Sequence, residues 1–351
     1  MGPPLPERLR ATTATLGALS IVTTVLRCYV RVKVIKKWGW DDTFIILAFI
    51  THMWYTVTLL TGIHYGTGQR TADISVTDLV HAMRCWWLCF LAYASTITFA
   101  KLSLGFFFLR LTSIITLHRI ATIIITTAAV VIGVTYFFLS LFQCAPVDFF
   151  WTRMQGVTGG KCISMEVIIG MTYLYGAIAA ATDIGFGLLL GALVWRLKVE
   201  CKTKVLIAPL LGMACIASYA ALVRMPYIGN FKSADFLYGT VDISLWSTVE
   251  VGVSVFAANL ATLRPLIQHV GEKARSITSR VRGVSVREIQ IISSEASKHE
   301  LRHYDDQKLK ISTPKISTRV IALPSEAAAG RQADGESIVS LTGSTRQPEM
   351  C

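Results

Sequence analysis

The chain has 351 residues, of which 53% are hydrophobic and only 16% charged, and its mean hydropathy is +0.53. That balance excludes a soluble two-domain protein of this length and reads as a membrane protein. The net charge of +12 calls for no nucleic acid, because basic loops beside an anionic leaflet account for it.

The opening "MGPPLPERLR" contains Glu7, and no small-residue cleavage site follows the first apolar stretch. Gly2 lacks the Ser or Thr that a myristoylation signal needs, so a retained first helix is expected after a short extracellular segment, residues 1–10. Seven runs have the length and apolar character to cross a bilayer. They are Ala11–Leu26, Thr43–Ile63, Cys85–Leu109, Ile120–Phe142, Val167–Trp195, Val205–Val223 and Val241–Leu263. The first is the shortest and the richest in threonine, and it is expected to continue past Arg27, whose side chain can snorkel. The expected fold is therefore all-α: a seven-transmembrane-helix bundle over residues 11–270, with a disordered cytoplasmic tail at 271–351 that lacks apolar periodicity.

With the N-terminus outside, the inner loops and the start of the tail hold sixteen Lys and Arg against eight on the outer side. The positive-inside rule thus predicts an outer N-terminus and an inner C-terminus. Trp38, Trp40 and Trp195 would then lie at the inner interface and Trp86, Trp87, Trp151 and Trp246 at the outer one, as an aromatic belt. Cys144 and Cys162 bracket the loop after the fourth run on the oxidising side, where a disulfide between them is expected; Cys85 is a competing partner for Cys162. No group of His or Cys has metal-site spacing, and no P-loop, HExxH or Ser-His-Asp order occurs in a supporting context.

Ionisable groups inside the runs carry the functional signal, since each costs about 2.5–3.5 kcal/mol at a helix centre unless compensated. They are Lys101 in the third run, Asp183 in the fifth and Glu250 in the seventh, with Asp242 and Arg224 near the outer boundary. At about 1.5 Å rise per residue the first three fall within a layer of roughly 10 Å, which allows an ion pair or a triad. Asp242, Trp246 and Glu250 step by four and line one face of the seventh run. Lys101 is read as a structural cation paired with Asp183 or snorkelling inward, with neutralisation of an anionic ligand as the other reading. Glu250 is read as either a bond to a neighbouring helix or a ligand or proton contact.

Asp41 and Asp42 open the second run beside Arg27, Arg31, Lys36 and Lys37. The reading weighed first is a helix cap and an ion-pair latch, because carboxylates suit a helix N-terminus and Arg27 and Arg31 share a helix face. The other is a catalytic carboxylate pair. His52 and His64 are read as polar packing groups. No lysine occurs in "VDISLWSTVEVGVSVFAANL", so a retinal Schiff base on the seventh helix is not expected and no cofactor is assigned.

Several of these residues together resemble a known family. They are Arg27-x-x-x-Arg31 followed by "WGWDD", Tyr93 with Lys101-x-Ser103 running to "FFFLR", "QCAPVDFFW" with Cys162, Asp183, Arg224, and Trp246-x-x-x-Glu250 leading to "LRPL". The pattern is similar to fungal rhodopsin-like integral membrane proteins over about residues 11–270. That group includes receptor-like proteins of plant-pathogenic fungi used in surface sensing and the membrane protein of the satratoxin cluster. One departure is the fifth run, "DIGFGLLLGALVW", which lacks the proline common there. The resemblance implies a role in or beside a specialised-metabolite pathway, or as a small-molecule receptor or sensor. A membrane-embedded cyclase or isomerase acting on a lipophilic intermediate is the alternative, with Glu250 and Asp183 as its catalytic acids. Ligand contacts would come from Trp246, Glu250, Asp242, Arg224, Lys101 and Tyr93. Expected partners are the lipid bilayer, a small lipophilic molecule, and cytosolic signalling or pathway proteins at the inner loops and tail.

Overall fold

The computed structural model describes residues 5–111, 116–196, 201–233 and 235–260, all within the N-terminal unit that ends at Val270. The expected disordered tail lies outside the described residues. Seven long helices occur among them: α1 Leu5–Tyr29, α2 Trp40–His64, α3 Val76–Leu111, α4 Thr116–Leu141, α5 Met165–Arg196, α6 Cys201–Arg224 and α7 Val241–Leu260. Six of the helical segments, those from α2 onward, are long and apolar enough to cross a membrane. α1 has the length but not the apolar content, because its threonines and three arginines, Arg8, Arg10 and Arg27, dilute it.

The helix boundaries differ from the expected runs for local reasons. α1 starts at Leu5, not at residue 11: Pro6 fits a first turn, where an N–H would have no partner, and Glu7 suits the positive end of the helix. Threonines in α1 answer their own hydroxyls, as Thr13 does by donating to Leu9 O at 2.7 Å. α1 runs on as a π-helical segment, Val30–Ile35, which stops at Lys36 in the left-handed region (φ 52°). α3 begins nine residues before Cys85 because Ser75 caps it, its Oγ accepting from the Asp78 N–H at 3.2 Å.

Small residues let the helices approach. A Cβ at Gly133 of α4 would overlap Thr98 Oγ1 of α3, so glycine is required at that crossing. Thr98 hides its hydroxyl by donating to Ala94 O at 2.7 Å.

One end of the bundle carries a folded cap. After α4, the two-residue strands β1 Cys144–Ala145 and β2 Lys161–Cys162 pair antiparallel and are joined by the Cys144–Cys162 disulfide. Cys85, the competing partner, is free. The turn Phe149–Thr152, the 3-10 segment Met225–Lys232 after α6, and the turn Phe236–Gly239 complete the cap. Beneath it Trp86 and Trp87, each 8% exposed, pack with Phe150, Ile228, Phe231 and Leu237. These two tryptophans are core residues of the cap and not members of an interfacial belt, and Trp87 Nε1 is used internally, donating to Ser140 O at 3.0 Å. Trp38 and Trp40 at the opposite end are exposed as the belt reading expects.

Candidate functional site

Two charged centres and one latch sit inside the bundle. The latch lies at the end away from the cap. Asp41 and Asp42 occupy the first turn of α2, where Asp42 Oδ2 accepts from the Gly39 N–H at 3.0 Å and so caps the helix. Arg27 Nε donates to Asp42 Oδ1 at 3.0 Å, Nη2 to Asp41 Oδ2 at 3.2 Å, and Nη1 to Ala258 O of α7 at 2.7 Å. Arg31 bonds Asp41 Oδ2 closely, and its Nε lies 2.8 Å from Asp42 Oδ1, off the line of the N–H bond. Ser103 of α3 donates to the Asp41 carbonyl at 2.6 Å. Both carboxylates are enclosed and engaged, so the pair ties α1, α2, α3 and α7 together and offers no open face for catalysis.

The first charged centre joins α3 and α5. Lys101 Nζ donates to Ala179 O at 2.8 Å and Thr182 Oγ1 at 2.5 Å, and it pairs with Asp183 Oδ1 at 3.2 Å. All three ammonium donors therefore have partners. Asp183 Oδ2 has no hydrogen-bond partner among the described residues. A cavity of about 60 Å³ lies beside the pair, walled by Phe108, Phe186 and Ala258 among others.

The second centre lies closer to the cap, where Tyr93 of α3, Arg224 at the end of α6, and Ser247 and Glu250 of α7 converge. Tyr93 OH donates to Glu250 Oε2 at 2.8 Å and accepts from Arg224 Nη1 at 2.6 Å. Arg224 Nη1 also reaches Ser247 Oγ at 3.3 Å, stands 3.6 Å from Glu250 Oε2, and its guanidinium carbon sits 5.1 Å from the Tyr93 ring centre. Glu250 is 0% exposed and Arg224 3%. Among the described residues Glu250 Oε1 and Arg224 Nε and Nη2 have no hydrogen-bond partner, although all are enclosed, and the Tyr175 hydroxyl lies within reach of that of Tyr93. Tyr175 stacks on Tyr136 with ring centres 4.4 Å apart. A cavity of about 40 Å³ borders Arg224 and Tyr93 and is roofed by Trp86, Phe90 and Phe231 of the cap region.

The depth argument thus resolves into two separate pairs, Lys101–Asp183 and Arg224–Glu250, and not a triad. Trp246 and Asp242 do not join the second centre. Among the described residues neither bonds the Glu250 carboxylate or its arginine, and Trp246 turns to α6, edge-on to the exposed Tyr219 with centres 5.9 Å apart. For Asp242 the reason is rotational drift, since two steps of four separate it from Glu250 by about 80°; Trp246 lies about 40° to one side of Glu250 and Ser247 about 60° to the other, and Arg224 is on the Ser247 side. His52 is buried with Nδ1 unpartnered, and His64 meets Tyr65 edge-on at the end of α2.

Residues 26–269 match the family model of the fungal rhodopsin domain. The chain belongs to that family. The fungal rhodopsin domain therefore spans every helix from the end of α1 onward, including both charged centres and the latch. Among relatives, a polyenoic acids biosynthesis gene cluster protein of Metarhizium anisopliae is 24% identical over 75% of this chain and 74% of its own length. A fugralins biosynthesis cluster protein of Gibberella zeae is 24% identical over 37% of this chain and 31% of its own length. The chain is thus a multi-pass membrane protein of the fungal rhodopsin family whose relatives are named for specialised-metabolite clusters.

Three site residues escaped the sequence reading. Tyr175, Ser247 and Thr182 carry no charge, so burying them raises no cost that composition reveals. Ser247 stands three residues before Glu250 and Thr182 immediately before Asp183; those spacings were the only available signal.

Proposed function

We propose that this protein serves a specialised-metabolite pathway as a small-molecule-binding membrane bundle, with Tyr93, Arg224 and Glu250 as the polar centre of its binding site. The observation that carries this reading is a fully enclosed ion pair with free hydrogen-bonding capacity beside a cavity. Replacing a buried pair by well-packed apolar residues is often neutral or stabilising, so stability alone gives no reason to keep one with unmatched atoms. Arg224, which borders the cavity with Tyr93 and Ser247, has Nε and Nη2 donors without a hydrogen-bond partner among the described residues, and its partner Glu250 keeps Oε1 unanswered. A cavity of about 40 Å³ takes one polar group of a larger lipophilic molecule, or bound water in its absence. The metabolite-cluster names of both relatives support the pathway setting.

In this reading the N-terminus lies outside and the C-terminus in the cytosol, which the disulfide-bearing cap supports by needing an oxidising side. The cytosolic loops and tail are then available to signalling or pathway proteins. Retinal has no part in it. A Schiff base needs a lysine, α7 has none, and Lys101 is fully engaged by α5.

A second reading is favoured by one observation. Glu250 Oε1 has no hydrogen-bond partner, and a carboxyl free on one oxygen within an apolar bundle is suited to move a proton to or from a lipophilic intermediate. Asp183 Oδ2 has the same property at the other centre.

The test is deletion of the gene with metabolite profiling, followed by complementation with Glu250→Gln. The variant keeps shape and hydrogen bonding but loses the charge and the proton. It is expected to lack pathway function even when expressed to matched membrane levels, with a lower unfolding midpoint because Arg224 is left buried without its carboxylate. A fully functional Gln variant would refute the role assigned to Glu250. Accumulation of one intermediate that the purified wild-type protein converts selects the enzyme reading over binding.

A further inference from the structure

The end of the bundle away from the cap carries more positive charge than its latch uses. Arg27 and Arg31 are matched by Asp41 and Asp42, and residues 24–46 and 104–122 contain no other acid. Lys33, Lys36 and Lys37, on the linker between α1 and α2, are exposed and have no ion-pair partner among the described residues. Arg110, at the end of α3, is 53% exposed and reaches over this linker: its Nη1 lies 3.9 Å from Asp41 Oδ1 and 3.5 Å from the place a Cβ on Gly39 would take. That aspartate already holds two arginines, so Arg110 adds a fourth unmatched cation to the three lysines.

Cations from two distant parts of the chain thus gather around one linker, where an anion relieves their mutual repulsion. Trp38 and Trp40, 51% and 69% exposed, flank Gly39 and set the linker at the level of the lipid headgroups, as interfacial tryptophans do. The anion is therefore met in the membrane surface. Charge decides its kind. Each phosphomonoester carries about −1.5 to −2 near neutral pH, so an inositol headgroup bearing two of them balances the four cations. A phosphatidylserine headgroup, with a single net charge, leaves most of them unmatched.

We propose that Lys36, Lys37 and Arg110 hold the headgroup of a phosphorylated inositol lipid of the cytosolic leaflet, with Lys33 adding charge at its edge. Arg110 supplies a planar fork that suits phosphate oxygens, and the lysines supply mobile point charges. The lipid ties the end of α3 to the α1–α2 linker on the outside of the latch. None of these residues borders the cavity over Arg224, so the site stands apart from the centre proposed above. The choice of leaflet rests on the orientation proposed there; in micelles both ends are exposed, so the binding result below holds whichever way the chain is inserted.

The test uses the full chain in dodecylmaltoside micelles, titrated with dioctanoyl phosphatidylinositol bisphosphate and followed by microscale thermophoresis. The wild type should bind it about tenfold or more tightly than dioctanoyl phosphatidylserine. Lys36→Gln, Lys37→Gln and Arg110→Gln combined should weaken Kd by about 100-fold, at the usual contribution of a surface cation. The unfolding midpoint should stay near that of the wild type, because all three side chains are exposed. Lys36→Gly, which suits the left-handed backbone at φ 52°, removes one cation without strain and should weaken binding about fivefold. Lys273→Gln, Arg275→Gln and Arg280→Gln combined, which remove the same charge outside the described residues, should bind like the wild type. Equal weakening of the two triple variants would overturn the proposal, since binding would then follow total charge. Undiminished binding by the linker variants, equal affinity for phosphatidylserine, or equal affinity for free inositol trisphosphate, which has no lipid chain, would overturn it too.

Discussion

Arg27→Lys preserves the charge of the latch and is expected to weaken the bundle sharply. Arg27 donates to three acceptors in three directions: Asp42, Asp41 and the Ala258 carbonyl of α7. An ammonium is a point donor on a flexible stem and cannot span acceptors that a planar guanidinium reaches from separate nitrogens. At least two of the three bonds are lost, and at about 1.5 kcal/mol or more for each charge-assisted bond the cost is about 3 kcal/mol. For a domain of 150–250 residues, about 2–4 °C accompanies each kcal/mol, so the midpoint of thermal unfolding should fall by about 6–12 °C. The assay is fluorescence-detected size exclusion of detergent-solubilised protein heated in steps. Arg31→Lys, which touches the same carboxylates but no backbone of α7, should fall by less. A midpoint for Arg27→Lys within 2 °C of the wild type, roughly one kcal/mol or less, would refute the three-way latch.

Three other outcomes are expected. Lys101→Met alone should destabilise by about 3–5 kcal/mol because Asp183 is left buried and uncompensated, whereas Lys101→Met with Asp183→Leu should recover most of that loss, measured as non-additive shifts of the same unfolding midpoint. Peptide mapping without reduction should recover Cys144 linked to Cys162, and Cys144→Ser should cost about 3 kcal/mol, the loop-entropy value for a closure near the observed separation of 18 residues. Gly133→Leu should abolish monodisperse protein, because even its Cβ overlaps Thr98; a normal elution profile would contradict the close α3–α4 crossing.

What the sequence discloses depends on whether a residue's cost can be seen without knowing its neighbours. Asp41 and Asp42 follow Arg27 and Arg31 closely, and four charges at a helix mouth must meet somewhere, so the latch was legible. Lys101 and Asp183 were legible as a pair through depth alone, because 1.5 Å per residue fixes height in a bilayer. The four-residue step put Trp246 within about 40° of Glu250, but it does not say which neighbouring helix each side chain meets, and Trp246 packs on Tyr219 of α6. Trp86 and Trp87 had the position of belt residues, but the folded cap covers them, and a cap assembled from loops after α4 and α6 leaves no periodic trace. The partner of Glu250 was legible only in part: Arg224 was expected at the same site, but it sits at a helix end, where a snorkelling arginine and an inward-turned one read the same.

The balance of charge in the three buried groups has an electrical consequence. With every member ionised, Lys101 with Asp183, Arg224 with Glu250, and Arg27 and Arg31 with Asp41 and Asp42 each sum to zero. A transmembrane potential does work of about 2.3 kcal/mol per elementary charge per 100 mV, and moving a neutral group through that field does none. Helices that shift with their ionic partners intact are therefore blind to voltage. An event that splits a pair, such as a proton arriving at Glu250 or an ion taking its place beside Arg224, would couple these groups to the membrane potential.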